Sequence, residues 1–373
     1  MKHIPLHDTY RSLRKSLAAM WVVCMTMVLT GCWVHEFPDT PDTAPLWLHL
    51  RFNTEMQQSY ISLSRACAPI QPTQMCTSGM MRYIIRLYPQ DASVHNASSA
   101  AYREYTMTQD IAGGYDADIR IDAPPGDYRI MVWADLAESG GNVGGFYDAA
   151  DFSRITTLTP YTGSTDYRDA FRGEAAATVV TSTSEPVPVE ATVSMVRPLA
   201  KFEFVANDVR LFMEQQTLAM AEKEKEKEKD KDNAAKDNTS KGSSDGTTRA
   251  ANLDDYRVRI IYNGYVPVSY NIFSDMPNDA IMGVECDGRI RRLSTDEASL
   301  GFDYVLVNGH ATEVTVQLAI YDKDGTLVSR TMPVNVPLRR SCHTIISGGL
   351  LTQKTTGGVG VNPSYDGEFN IIY

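Results

Sequence analysis

Three aspartates, Asp116, Asp118 and Asp122, lie close together in "YDADIRID" and have the residue type of the paired carboxylates in glycoside hydrolysis. Their alternation with Ile119 and Ile121 instead puts Asp118 and Asp122 on the polar side of a strand. Past residue 31 the histidines are His35, His49, His95, His310 and His343, none within four residues of another. That spacing rules out an H-E-x-x-H metal helix. The chain also has no G-x-S-x-G, no P-loop and no G-x-G-x-x-G opening a helix. "DKDG" (322–325) begins like a calcium loop but lacks its later ligands and bidentate Glu, so it reads as a tight turn. Asp148 and Asp151 in "YDAADF" fall in a loop and stay open. With no nucleophile, base and anion-stabilising donors gathered together, we expect no enzyme, no cofactor and no metal.

Cys32 is the residue whose neighbours do specify chemistry. Lys2, Arg11, Arg14 and Lys15 precede an apolar run from Leu17 to Thr30, and small residues follow. That is the order of a secretory signal peptide, and the run is too short for a spanning helix of about 17–25 residues. Leu29-Thr30-Gly31-Cys32 resembles the bacterial lipobox, whose cysteine becomes the first mature residue and carries diacylglycerol on sulfur and an acyl chain on the amine. Each buried CH₂ contributes about 0.8 kcal/mol, so two or more chains anchor stably in a membrane. Residues 1–31 thus read as a lipoprotein signal peptide, with membrane lipid as the expected partner of Cys32.

Cleavage there leaves 342 of 373 residues, enough for two domains. The lost piece holds four basic residues and one acidic, so the net charge moves from −11 to −14. An acidic chain without a basic cluster is a poor nucleic-acid binder. Cys24 leaves with the signal. Cys67, Cys76, Cys286 and Cys342 remain, an even number in an exported protein, with three pairings open. The short, polar, Pro-bearing "CAPIQPTQMC" favours Cys67–Cys76, a loop worth about 2.5–3 kcal/mol by chain entropy. A Cys286–Cys342 bridge stays open. Zinc is disfavoured because no paired C-x₂-C exists.

The Pro-broken, acidic stretch 32–45 reads as a tether. From Leu46 the period is two, with Leu46, Leu48, Leu50 and Phe52 alternating against Trp47, His49 and Arg51. "MMRYIIRLYP" (80–89) is a second strand. "ADIRIDAPPGDYRIMVWADL" predicts a hairpin turning at Pro125-Gly126, whose return strand is apolar on both faces and hence central. "TPYTGSTDYRD" reads as a loop. In "RPLAKFEFV" (197–205), Leu199, Lys201, Glu203 and Val205 alternate with Ala200, Phe202 and Phe204. "VRLFMEQQTLAMA" favours helix. The charge run from Glu222 to Asp232 then sets opposite charges at i,i+3 against like charges at i,i+4, which nearly cancel. We expect a disordered charged insertion over 207–253. Asn263-Gly264, Asn308-Gly309 and Asp324-Gly325 predict further hairpins, and Pro333, inside the last strand, an edge or bulge. "GEFNIIY" closes the chain as a strand. The fold class is all-β: two tandem β-sandwich domains, 46–195 and 196–373.

The lipobox, "PPGDYRIMVWAD", "RPLAKFEFV", "YNGYVPVSYNIFSD", "LGFDYVLVNG", "VPLRRSCHTIISGGLLT" and "GGVGVNPSYDGEFNI" succeed one another across the chain. In that order they resemble the fimbrillin-like lipoproteins of Bacteroidales, fimbrial anchor subunits included. The resemblance implies two transthyretin-like sandwiches, delivery to the outer membrane, and other fimbrial subunits as partners. It also implies that "RPLAKFEFV" opens the second domain. In stalk members an arginine-specific protease cuts near the first strand, and a neighbour's strand fills the groove. Here Arg51 and Arg65 are the arginines available for that cut. Neither lies in an evident exposed loop, which favours an anchor or uncut subunit. The expected function is a fimbrial anchor or structural subunit assembling by strand addition and contributing to adhesion, with a host or glycan ligand. The alternative is a surface glycan-binding lipoprotein that does not polymerise, with Trp33, Trp47 and Trp133 as candidate aromatics.

Overall fold

The alternation from Leu46 becomes a strand. In the computed structural model, which describes residues 43–63, 78–90, 101, 103–140, 144–180, 188–234 (backbone alone from 227), 250–309 and 312–353, β1 (Ala44–Phe52) buries Leu46, Leu48 and Leu50. After β2 (Gln57–Ser62), β3 (Met80–Pro89) matches the "MMRYIIRLYP" run, and β4 (Arg103–Asp110) pairs back on it. β5 (Ala117–Ala123) alternates buried and exposed residues, while β6 (Gly126–Ala137) is buried on both faces from Ile130 onward. Short strands β7 (Tyr147–Asp148) and β8 (Ile155–Thr157) precede β9 (Ala170–Val179) and β10 (Val189–Val196).

Seven of these strands form one sheet in the order β4-β3-β6-β9-β10-β1-β5. The sheet curls until its ends share a core. Leu46, Leu48, Ile119 and Ile121 from one end meet Tyr83, Ile85, Ile130 and Val132 from the other. The turn falls at β9–β10, joined by three residue pairs from Ser194↔Glu174 to Val196↔Arg172. Gly173 sits there, and a Cβ on it would run into Met195 Sδ and Val193 Cγ1. A larger residue would push these neighbours apart.

The second half begins with β11 (Leu199–Ala206), then α1 (Val209–Ala234), β12 (Arg257–Tyr262), β13 (Val266–Asn271), β14 (Met276–Ile281), β15 (Glu285–Gly288) and β16 (Arg291–Arg292). It continues with β17 (Ala298–Leu306), β18 (Thr312–Tyr321), β19 (Leu327–Arg330), β20 (Val334–Leu338) and β21 (Cys342–Gly348). One sheet, β16-β17-β11-β21-β2, packs on another, β15-β12-β18-β19, with β20 also on β18. Phe202, Phe204, Ile260, Val316 and Leu318 lie between them. The protein is therefore all-β, built as two sandwiches. The interruption at Pro333, between β19 and β20 along the same partner strand, fits its missing N–H.

Several expectations need correcting. β5 pairs with β1 and β6 with β3 and β9, so Pro125-Gly126 joins the two walls of the sandwich and forms no hairpin. Pro124 and Pro125 have no N–H with which to open a ladder between them. Asn263-Gly264 and Asn308-Gly309 likewise link strands of different sheets, and Asp324-Gly325 alone makes its hairpin. An X-Gly pair specifies a local reversal, while burial of each strand's apolar face selects its partner. The charge run is helical through Ala234, not disordered. Val209 and Phe212 bury the first turn, which removes the nucleation cost, and the Glu and Lys residues of the later turns are good helix formers. Residues 57–62 fall within the expected first sandwich yet sit at the edge of the second, where β2 runs parallel to β21. The "GEFNIIY" strand lies outside the described residues.

The halves are not beads on a string. A four-stranded sheet, β14-β13-β8-β7, takes two strands from each. Beneath it Trp133, Tyr147, Phe152 and Ile155 share a core with Leu199, Tyr270, Tyr304 and Leu306. We therefore expect calorimetry to show one cooperative unfolding transition for the whole body, with no separate melting of the second half.

Candidate assembly site

β1 lies between two strands, parallel to β10 from Leu46↔Val189 to Phe52↔Met195 and antiparallel to β5 from Ala44↔Ala123 to Leu50↔Ala117. Its three leucines are wholly buried, each worth about 1.5–3 kcal/mol of apolar burial. At its end the Phe52 ring meets Phe171, Tyr115 and Tyr83 edge-on, at 5.0, 6.0 and 6.2 Å. β5 stands at the sheet's end with β1 as its neighbour. Taking β1 away would leave two unpaired strand borders and an apolar trough.

The outer side of β1 is polar. Arg51 Nη2 donates to Asp118 Oδ1 at 2.7 Å, and His49 Nδ1 lies 2.8 Å from the same oxygen. The contacts of His49 and then Arg51 hold the Asp118 carboxyl below its usual range. Asp116 accepts from Phe52 N–H at 2.9 Å, and Asp122 pairs with Arg120 at 3.2 Å. These acids fasten and flank β1. Asp148 and Asp151 cap turns through Ala150 N–H and Ser153 N–H. Asp322 in "DKDG" accepts from Asp324 N–H and Thr326 N–H inside the β18–β19 turn. Trp47 is partly exposed. Trp133 is buried and donates to Asp135 at 2.9 Å, so it offers no platform. Cys286 and Cys342 are free, buried thiols on different sheets, so the bridge left open between them is not made. Cys32, Trp33, Arg65, Cys67 and Cys76 lie outside the described residues. Among the described residues no cluster could hold a metal ion, and no helix is long and apolar enough to cross a membrane.

The loop 158–169 and the strand β11 hold residues the sequence reading passed over. Arg168 donates to Asp303 Oδ1 and to Thr162 O, both at 2.9 Å, with its guanidinium over the Tyr161 ring. Tyr161 and Tyr262 hydroxyls donate to Asp303 Oδ2 at 2.9 and 2.6 Å. Burial lifts the Asp303 carboxyl above its ordinary range while Arg168 and these hydroxyls pull it back. Arg197 Nε bonds both oxygens of Asp169 at 2.8 Å. Lys201 Nζ lies 2.6 Å from Asp166 Oδ1. Further along β11, Glu203 accepts from Ser299 at 2.5 Å and stands 3.2 Å from His343 Nε2. Burial opposes its ionisation, but the His343 and Ser299 contacts win and hold its pKa at about 2. The signal was available in Lys201 and Glu203, two charges inside an apolar strand, and in Arg197 just before it. The loop gave none, because its polar residues look solvated.

One family model matches residues 41–372, that of a family of unknown function, DUF6562. The chain belongs to that family. No curated protein matches this DUF6562 member in sequence. Solved structures similar to it include the fimbrial anchor protein Mfa2 from Porphyromonas gingivalis, at 9% identity over 77% of this chain and 82% of that one, with a TM-score of 0.34. The tip fimbrial protein Mfa3 from the same organism has 11% identity, 79% and 81% coverage, and a TM-score of 0.33. A structure described as a candidate cell-adhesion protein from Bacteroides eggerthii gives 11%, 87% and 92%, and 0.39.

The buried charges carry two predictions. Arg168→Met or Asp303→Asn alone should cost about 3–5 kcal/mol in denaturant titration, because each strands its partner, and the double variant less than the sum. Glu203 is more acidic folded than unfolded, so its stabilising contribution is full above about pH 4.5 and is lost as pH falls toward about 2. Glu203→Gln should flatten the melting-temperature profile across that window.

Proposed function

We propose that the protein is a fimbrial subunit, an anchor or structural component held in the outer membrane through Cys32, that joins other fimbrial subunits by β-strand addition and contributes to adhesion. The observation that carries the reading is the position of β1. It begins twelve residues after the acylation motif, fills a slot between two strands of opposite direction, and presents an apolar residue at every second position. A neighbour's extended segment with the same period meets the chemical demands of that slot, main-chain bonds supplying affinity and the leucine sites supplying register. Such work needs no catalysis, and we read the protein as no enzyme.

Arg51 and Arg65 imply different products. A cut after Arg51 takes β1 and leaves β2 on β21, whereas a cut after Arg65 takes both strands and frees a border on each sandwich. The Arg51 main chain lies within a ladder and its guanidinium on Asp118, so a protease needs prior opening there. An anchor that keeps lipid and first strand agrees best with this. Its own β1 then fills the slot, and the sheet ends at β4 and β5 are the borders it offers a neighbour's strand. Trp47 is the feature that favours the glycan-binding alternative.

Membrane fractionation tests the anchor: Cys32→Ala should move the protein into the soluble fraction. N-terminal analysis of the native protein should find acylated Cys32, with Arg51–Phe52 uncut. Mixing the lipidated protein with purified fimbrial subunits should yield complexes that survive mild detergent. Glycan capture without any subunit contact would overturn the assembly reading in favour of the alternative.

A further inference from the structure

Among the charge pairs at the junction, one holds a buried lysine against two aromatic rings and an aspartate. Lys201 is 1% exposed, and its Nζ lies 4.0 Å from the ring centre of Phe302 and 5.0 Å from that of Tyr304. Unlike arginine, a buried lysine readily gives up its proton. Its partner oxygen, Asp166 Oδ1 at 2.6 Å, also accepts from Tyr304 O–H at 2.9 Å. Asp169, three residues on, is buried as well. Burial lifts its carboxyl above the ordinary range, with Arg197 and Lys201 pulling the other way and Asp166 adding to the rise. An amine, a carboxyl carbon and a hydroxyl donor are therefore in contact beside two aromatic rings, with a second carboxyl three residues on.

We propose that Lys201 and Asp166 condense into an amide, an internal cross-link between the first half of the chain and β11 of the second. Proton transfer from the ammonium to Oδ1, across the 2.6 Å contact, gives the amine and acid from which an amide can form. The Nζ lone pair then adds to Cγ, and the negative charge passes to Oδ2. A second proton moves directly from Nζ to Oδ1. The Cγ–Oδ1 bond breaks, water departs, and Oδ2 becomes the amide carbonyl. Two protons and one oxygen leave, nothing is oxidised or reduced, and no co-reactant is needed. Fixed contact supplies the rate, since well-oriented groups in one molecule react as if at effective concentrations of about 10⁵ M or more. Tyr304 assists by donating to the departing oxygen. The proposal is independent of the fimbrial reading.

The intact mass of the purified, full chain decides it. We expect the protein to weigh one water less than its sequence, whatever its mature terminus. After trypsin digestion the peptides holding Asp166 and Lys201 should be joined, with no cleavage after Lys201. Lys201→Arg keeps the cation but is a poor nucleophile, and should restore the missing water and separate the peptides. An unmodified mass with free Lys201 and Asp166 peptides would leave a plain ion pair and sink the proposal. So would a water loss mapped to a single peptide, such as a succinimide at Asp324-Gly325.

Discussion

Burying a charge without a partner costs several kcal/mol, and where its halves meet this protein buries three bases and two acids, with a third acid, Asp166, partly exposed. Arg168 with Asp303, Arg197 with Asp169, and Lys201 with Asp166 each join an element of the first sandwich or its linker to the next. Their demand for partners fixes where loop 158–169 must go. That loop also carries Tyr161, which serves the same carboxylate as Tyr262 from the second sandwich. Apolar packing alone tolerates sliding between two sheets. A carboxylate that needs one guanidinium and two hydroxyls does not, and it specifies one arrangement of the halves.

A second layer of the same constraint lies at the β13–β14 turn. Asp275, in the left-handed region at φ 58°, receives Arg340 at 2.7 Å and stands 3.5 Å from Arg172, while Tyr270 bonds its other side. Arg172 comes from β9 of the first sandwich and Arg340 from the approach to β21. The shared sheet is thereby held at its turn as well as along its length. Short strands such as β7 and β8 would be marginal alone, and they persist because the second half completes their sheet.

What the sequence made legible was the periodic part. β1, β3 and the alternating β5 announce themselves through residue order, and β6 through its unbroken apolar run, because side-chain direction is a local property of a strand. Pairing is not local. Asn263-Gly264 and Asn308-Gly309 bend the chain as expected, yet the strands they join belong to different sheets, a choice made by cores distant in sequence. The charge run misled for a related reason: helical pair terms near zero matter little once Val209 and Phe212 have set the first turn. At the candidate site, β1 and its acids could be read from order alone. Arg168 and Asp303, separated by more than a hundred residues, could not, since nothing in either segment records that the other will desolvate it.

The route of the first residues has a mechanical consequence. β1 is laced into one sandwich and, after a short crossing, β2 into the other, both flanking pairs lying along the strand direction. Tension applied at the amino end pulls β1 lengthwise past β10 and β5, so its ladder is loaded in shear and its bonds must yield together. A peel, which breaks one bond at a time, would need a sideways pull. A pull on the amino end is thus resisted by two sheets in series, and the weaker, half-exposed β2 is reached only after β1 has let go.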